Sequence, residues 1–140
     1  MKRYMSLDIG DRTIGIAVSD LLGLTAQGVE TIHRKSLEED LKRLGELMKE
    51  YETHSLVPGL PKNMDGTEGE RCAIVKDFMA SVKERYPEVE VKFWDERLST
   101  VAATRSLLEA DVSRRKRKKV IDKMAAVFIL QGYLDSLQYS

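Results

Sequence analysis

Three strand-like runs stand at the start of the chain, and the gaps between them hold only turns. Tyr4 to Ile9 and Ile14 to Ser19 are apolar runs joined around Gly10-Asp11-Arg12, and Ala26 to Ile32 follows with Val29 and Thr31 in alternation. A parallel neighbour needs a crossover of a dozen or more residues, so these strands form an antiparallel meander. The period then changes to one near 3.6. Ser36 caps a helix with Glu39 three residues on, and Leu37, Leu41, Leu44, Met48 and Tyr51 form its apolar stripe. A short apolar run at Ser55 to Pro61 comes next, and Thr67 with Glu70 caps a helix striped by Ile74, Phe78 and Val82. Tyr86-Pro87 ends that helix. Val89 to Glu96 is a strand by alternation, Ser99 or Thr100 caps a helix to about Ala110, and Ile121 to Leu137 is a long final helix. The order predicts an α/β fold in one domain, residues 1–140, with a mixed sheet covered by helices on both faces.

Composition narrows the class of protein. An apolar content of 42% with 33% charged residues suits a soluble domain with a real core. No apolar run approaches a membrane span, and Met1-Lys2-Arg3 leads straight into a strand, so a cytoplasmic protein without membrane partners is expected. The single Cys72 excludes an internal disulfide and a Cys-cluster zinc site, and its apolar helical setting predicts a buried thiol. His33 and His54 have no second His or Cys at ligand spacing, which argues against a His-based metal site. Net charge is zero, so any attraction for a polyanion must be local. The run Arg114, Arg115, Lys116, Arg117, Lys118, Lys119 supplies it, read as a cationic loop.

Four places carry possible chemistry. Asp8 lies between Leu7 and Ile9 at the end of the first strand, where an ionised carboxylate is expensive unless paired or holding a metal. Its bland alternative is a turn former ahead of Gly10. "DERLST", Asp95 to Thr100, ends the last strand, where open α/β sheets place ligands; alternation does not decide whether Asp95 or Glu96 points towards Asp8. Asp122 opens the final helix, where the helix dipole alone would account for a carboxylate just as well as a site would. The basic run ends two residues before it. Three carboxylates from separate elements repel one another unless a divalent cation joins them, and all-oxygen ligation suits Mg²⁺ or Mn²⁺. Such ions neutralise phosphate charge, activate water and hold a leaving oxygen, which is what phosphodiester cleavage requires.

"LDIGDRTIGIAVSD", "GLPKNMDGTEG", "DERLST" and "IDKMAAVFILQGYLD" together resemble the YqgF family, described as Holliday-junction-resolvase-like proteins and pre-16S rRNA nucleases. The likeness runs from Asp8 to Asp135. It implies an RNase H-like fold with a mixed five-stranded sheet, and an acidic triad falling on Asp8, Glu96 and Asp122 as catalytic residues and metal ligands. On this footing Glu96 is favoured over Asp95. Two positions depart from the family pattern: Ser6 stands where Gly is usual, and Pro58 where Val or Ile is usual. Pro lacks the N–H of a central strand, so the strand is expected to end or distort there.

Arg12 and Arg97 flank the acids and either contact phosphate or pair with a structural acid. Asn63 and Thr67 belong to a loop near the substrate, where Glu68 and Glu70 argue against an anion cradle. The expected activity is metal-dependent cleavage of structured nucleic acid, by the resemblance the 5′ end of precursor 16S rRNA. Resolution of branched DNA is the alternative, and a two-fold symmetric junction would call for a homodimer. A non-cleaving RNA-binding module predicts binding that persists in chelator. A sugar-kinase-type ATPase needs two such domains, and 140 residues supply one.

Overall fold

A computed structural model of the chain describes residues 2–98 and 114–138, with side chains in the second stretch from residue 124 onward. The helix expected between Ser99 and Ala110 lies outside the described residues. The elements are β1 (Tyr4–Ile9), β2 (Thr13–Ser19), β3 (Ala26–His33), α1 (Leu37–Glu50), β4 (Ser55–Leu60), α2 (Glu70–Arg85), β5 (Glu90–Val91), β6 (Trp94–Asp95), a 3₁₀ turn (Glu96–Leu98) and α3 (Arg114–Gln138). Strands are ordered β3-β2-β1-β4-β5, with β6 also on β4. The β1–β2 and β2–β3 pairs are antiparallel, whereas β4 is parallel to β1, β5 and β6. The sheet is mixed, with five strand positions, and the fifth is filled by two short pieces.

Pro58 explains that split. Glu90 N–H donates to His54 O at 2.8 Å and Lys92 N–H to Leu56 O at 2.9 Å. By the alternation of a parallel ladder, residue 58 is the next donor from β4 towards Lys92, and Pro58 has no N–H. The ladder resumes only at Gly59–Trp94. β4 itself stays extended, with Pro58 opposite Leu7 of β1. The expected distortion therefore falls on the neighbour and not on the proline's own strand.

The two sheet faces are covered differently. Met5, Leu7 and Ile9 of β1 and Leu56 and Leu60 of β4 join Leu41, Leu44, Leu47 and Met48 of α1 and Val75, Phe78 and Val82 of α2 in the main core. On the other face, Ala17 and Val57 meet Ala125, Ala126, Ile129, Leu130 and Leu134 of α3. Gly132 lets α3 come close to β6: a Cβ there would stand 3.2 Å from the Trp94 indole nitrogen.

Local signals were read with mixed success. Ser36 caps α1 as expected, its Oγ accepting from Glu39 N–H at 3.2 Å, but Leu37 is exposed and Leu47 takes a place in the core. The expected Thr67–Glu70 capping box does not form. Asp65 captures Thr67 instead, accepting from its N–H at 3.0 Å and its hydroxyl at 2.6 Å, and α2 starts from Gly69 without a side-chain cap. Cys72 is buried, and that burial pushes its thiol pKa up. The basic run is not a loop. Its backbone forms the first turns of α3, consistent with the good helix propensity of Lys and Arg. No helix among the described residues is long and apolar enough to cross a membrane.

Candidate active site at the ends of the parallel strands

β1 alternates between the two faces, and this fixes where Asp8 lies. Ser6 is fully buried and its Oγ donates to the Ala126 carbonyl of α3 at 2.6 Å, so Ser6 and, two residues on, Asp8 belong to the α3 face. Tyr4 meets Tyr133 edge-on, with ring centroids 5.3 Å apart. From Tyr4 to Ser6 the contacts on α3 thus move from Tyr133 back to Ala126: strand and helix run in opposite directions. Two more strand residues, about 6.6 Å, reach Asp8, and one more helical turn back, about 6 Å, reaches the backbone of Asp122. Asp122 was equally well explained as an ornament of the helix dipole. With α3 starting at Arg114, it lies in the helix interior, beyond the first turn in which that effect acts.

Glu96 arrives from the far side of β4. The strand that was expected to reach it ends at Asp95, and Glu96 opens the 3₁₀ turn, 8% exposed. Gly59 shows what lies between the two acids. Leu7 partners Pro58 in the β1–β4 ladder, so Gly59 is next to Asp8; Gly59 also partners Trp94, two residues before Glu96. A Cβ on Gly59 would stand 2.5 Å from Ile129 Cδ1 and 3.2 Å from Glu96 Cγ. The Glu96 chain therefore crosses the space that any side chain at 59 would fill, on the α3 face that Asp8 shares. Sequence reasoning missed Gly59, although an isolated glycine inside an apolar strand signals close approach.

Asp95 is engaged elsewhere. Its carboxylate accepts from Arg97 Nη2 at 2.7 Å, from Nε at 3.1 Å and from the Arg97 backbone N–H at 3.0 Å. The guanidinium holds the Asp95 pKa below the usual carboxylate range, and Asp95 raises that of Arg97 in return. Arg97 also donates to Met64 O at 3.3 Å, tying the turn to the loop before α2. Pairing with a structural acid, one of its two expected roles, is present here. Asn63 and Thr67 likewise bond within that loop, at 2.9 Å. Arg12 is exposed in the β1–β2 turn and joins no ion pair among the described residues. The side chains of Arg114 to Lys119 and of Asp122 lie outside the described residues.

A clamp missed by the sequence reading holds the turn after Asp8. Arg34 Nη1 donates to Gly10 O at 2.9 Å and Nε to buried Asp40 of α1 at 3.0 Å. Its backbone N–H bonds Arg12 O at 2.8 Å, and its guanidinium stacks 5.1 Å from the Phe78 ring centroid of α2. Asp8 and Glu96 offer only carboxylate oxygens on either side of Gly59, a donor set that fits a hard divalent cation better than zinc.

Comparison with known proteins gives a consistent picture. Residues 2–136 match the family model described as RuvX: Holliday junction resolvase. A relative in Clostridium botulinum (strain Hall), named "Putative pre-16S rRNA nuclease", is 58% identical over 135 residues, covering 96% of this chain and 98% of its own. One of the same name in Clostridioides difficile (strain 630) is 61% identical over 133 residues, covering 95% and 94%. Among solved structures, Thermus thermophilus RuvC in complex with a Holliday junction substrate superimposes with a TM-score of 0.59 at 10% identity, over 97% of this chain and 96% of that one. The fowlpox virus resolvase in complex with Holliday junction DNA gives 0.50 at 10% identity, over 96% and 98%. At that identity the likeness speaks for the fold, and it is the RNase H-like one.

Proposed function

The chain belongs to the RuvX (YqgF) family of Holliday junction resolvases, and on that premise we propose that it is a metal-dependent nuclease processing the 5′ end of precursor 16S rRNA. The observation that carries this reading is the convergence of Asp8 and Glu96 around Gly59, beside the turn of α3 that bears Asp122. Asp8, Glu96 and Asp122 would hold Mg²⁺ or Mn²⁺. A bound divalent ion of this kind supplies charge neutralisation at the phosphodiester and a more acidic water.

The chain's own residues do the rest. Asp8 sits on a strand whose other side is locked in the main core, so the backbone that carries its carboxylate is held in place. Gly59 lets Ile129 and the Glu96 side chain pack directly against β4, where a Cβ would push them away. Arg12, exposed at the turn, faces incoming phosphates, and the basic start of α3 adds long-range attraction for a polyanion.

The test uses a structured precursor-type RNA with Mg²⁺. Wild type should cut it, chelator should stop the cutting, and Asp8→Asn should lose at least about a hundredfold in rate. Full Mg²⁺-dependent cleavage by Asp8→Asn would falsify the reading. The second reading, resolution of branched DNA, is favoured by the fold shared with RuvC and by the family description. It predicts paired cuts in a four-way junction by a dimer, which solution mass and cleavage of both substrates by one preparation separate from RNA trimming.

A further inference from the structure

A cavity of about 220 Å³ opens at the end of β1 on the face opposite Asp8, lined by Ile9, Gly10, Asp11, Arg71 and Ile74. It lies between the β1–β2 turn and the first turns of α2, one residue along the chain from the candidate metal site. Two of the residues that line it are charged, and they stand apart from the ion pairs of this molecule. Arg34, Arg43, Arg85 and Arg97 each pair with a carboxylate, at 3.0, 2.6, 2.8 and 2.7 Å respectively. Arg71 and Asp11, both exposed, face one cavity, yet neither joins an ion pair among the described residues. A cation and an anion left apart in one cavity suit a ligand that brings an anionic group and a hydroxyl donor together. Ile9 and Ile74 add an apolar floor on which a sugar ring can rest.

We infer that this cavity is a subsite for the substrate strand next to the cleavage point, with Arg71 on a phosphate and Asp11 accepting from the ribose 2′-hydroxyl. The inference rests on the nuclease reading for the direction of the strand, and it makes the subsite selective for RNA. The 2′-hydroxyl is the group by which a protein distinguishes RNA from DNA, and without that donor the Asp11 carboxylate only repels the backbone. The arginine contributes to both strands equally, because phosphate contacts carry no such distinction.

The test is binding in chelator, by fluorescence anisotropy across a series of KCl concentrations. The probes are a labelled RNA hairpin with a single-stranded extension and its all-deoxy counterpart. Arg71→Ala should weaken both by roughly tenfold and lower the salt slope by about one. Asp11→Ala should weaken RNA binding by roughly threefold to tenfold and leave DNA binding equal or tighter. Arg71→Lys and Asp11→Asn, at the same exposed positions, should fall between the alanine variants and wild type. Unchanged binding by Arg71→Ala, or an Asp11→Ala effect that is nil or equal on both probes, overturns the subsite, as does failure of wild type to bind either probe. Wild type that shows the binding pattern but never cuts with Mg²⁺ keeps the subsite and removes the nuclease reading. Wild type that cuts while Arg71→Ala binds normally does the reverse.

Discussion

β1 presents two different surfaces to its two neighbours. Towards α1 and α2 it shows Met5, Leu7 and Ile9, all buried in one continuous apolar core. Towards α3 it shows Ser6 and Asp8, and β4 beside it shows Val57 and Gly59, small or polar groups around a carboxylate. Both faces are packed, but the second is built from smaller residues, which lets α3 lie close and leaves a serine and a carboxylate among its apolar contacts. One strand thereby anchors the main core with one side and brings a serine and a carboxylate to α3 with the other. The lesson is that alternation lets stability and function be altered separately.

The comparison breaks if substitutions on the two faces have the same effect. Leu56→Ala, on the apolar face, should cost about 2–5 kcal/mol in urea unfolding and leave the rate per folded molecule near wild type. Gly59→Ala, three residues on, should do the opposite in proportion: about 1–3 kcal/mol from overpacking against Ile129, but at least about a tenfold loss of cleavage as Glu96 is displaced. Equal fractional losses in the two assays would end the distinction. Ser6→Ala should cost about 1 kcal/mol through the lost bond to Ala126 O, and the cleavage rate should fall only slightly if α3 keeps its seat.

The smallest effect expected is that of Asp95→Asn, and it should depend on pH. Arg97 lowers the folded-state pKa of Asp95, so the folded state binds fewer protons there than the unfolded chain. The contribution is therefore complete above the ordinary Asp pKa and disappears as pH falls through the lowered folded value. Wild type and Asp95→Asn should differ in melting temperature near neutrality and converge in acid. A gap that instead widens in acid would assign the pairing the wrong sign.

Much of the fold was legible because short-range rules agreed with the tertiary ones. The meander followed from turns too short for crossovers, and the Ser36 cap formed because nothing nearby competed for it. Thr67 failed as a cap because Asp65, two residues away, was the better partner, a competition that spacing alone does not rank. Asp8, between Leu7 and Ile9, is only a weak signal alone and is singled out by its combination with the other acids, the basic run and the family motifs. Gly59 and the Arg34 clamp could not be, since their importance lies in what comes near them from distant parts of the chain. The different surroundings of Asp95 and Glu96 could not be read from alternation, because they depend on the path of the chain after the Pro58 break, where Asp95 turns to Arg97 and Glu96 passes over Gly59.

The Arg34 clamp has a mechanical corollary. It bolts the hairpin tip after Asp8 to α1 and α2, whereas the backbone of Asp122 belongs to α3, which packs on the opposite face of the sheet. The hairpin tip is thus stationary relative to the main core. A slide or rotation of that single helix would move Asp122 relative to Asp8 while the hairpin keeps both its strand pairing and its anchor.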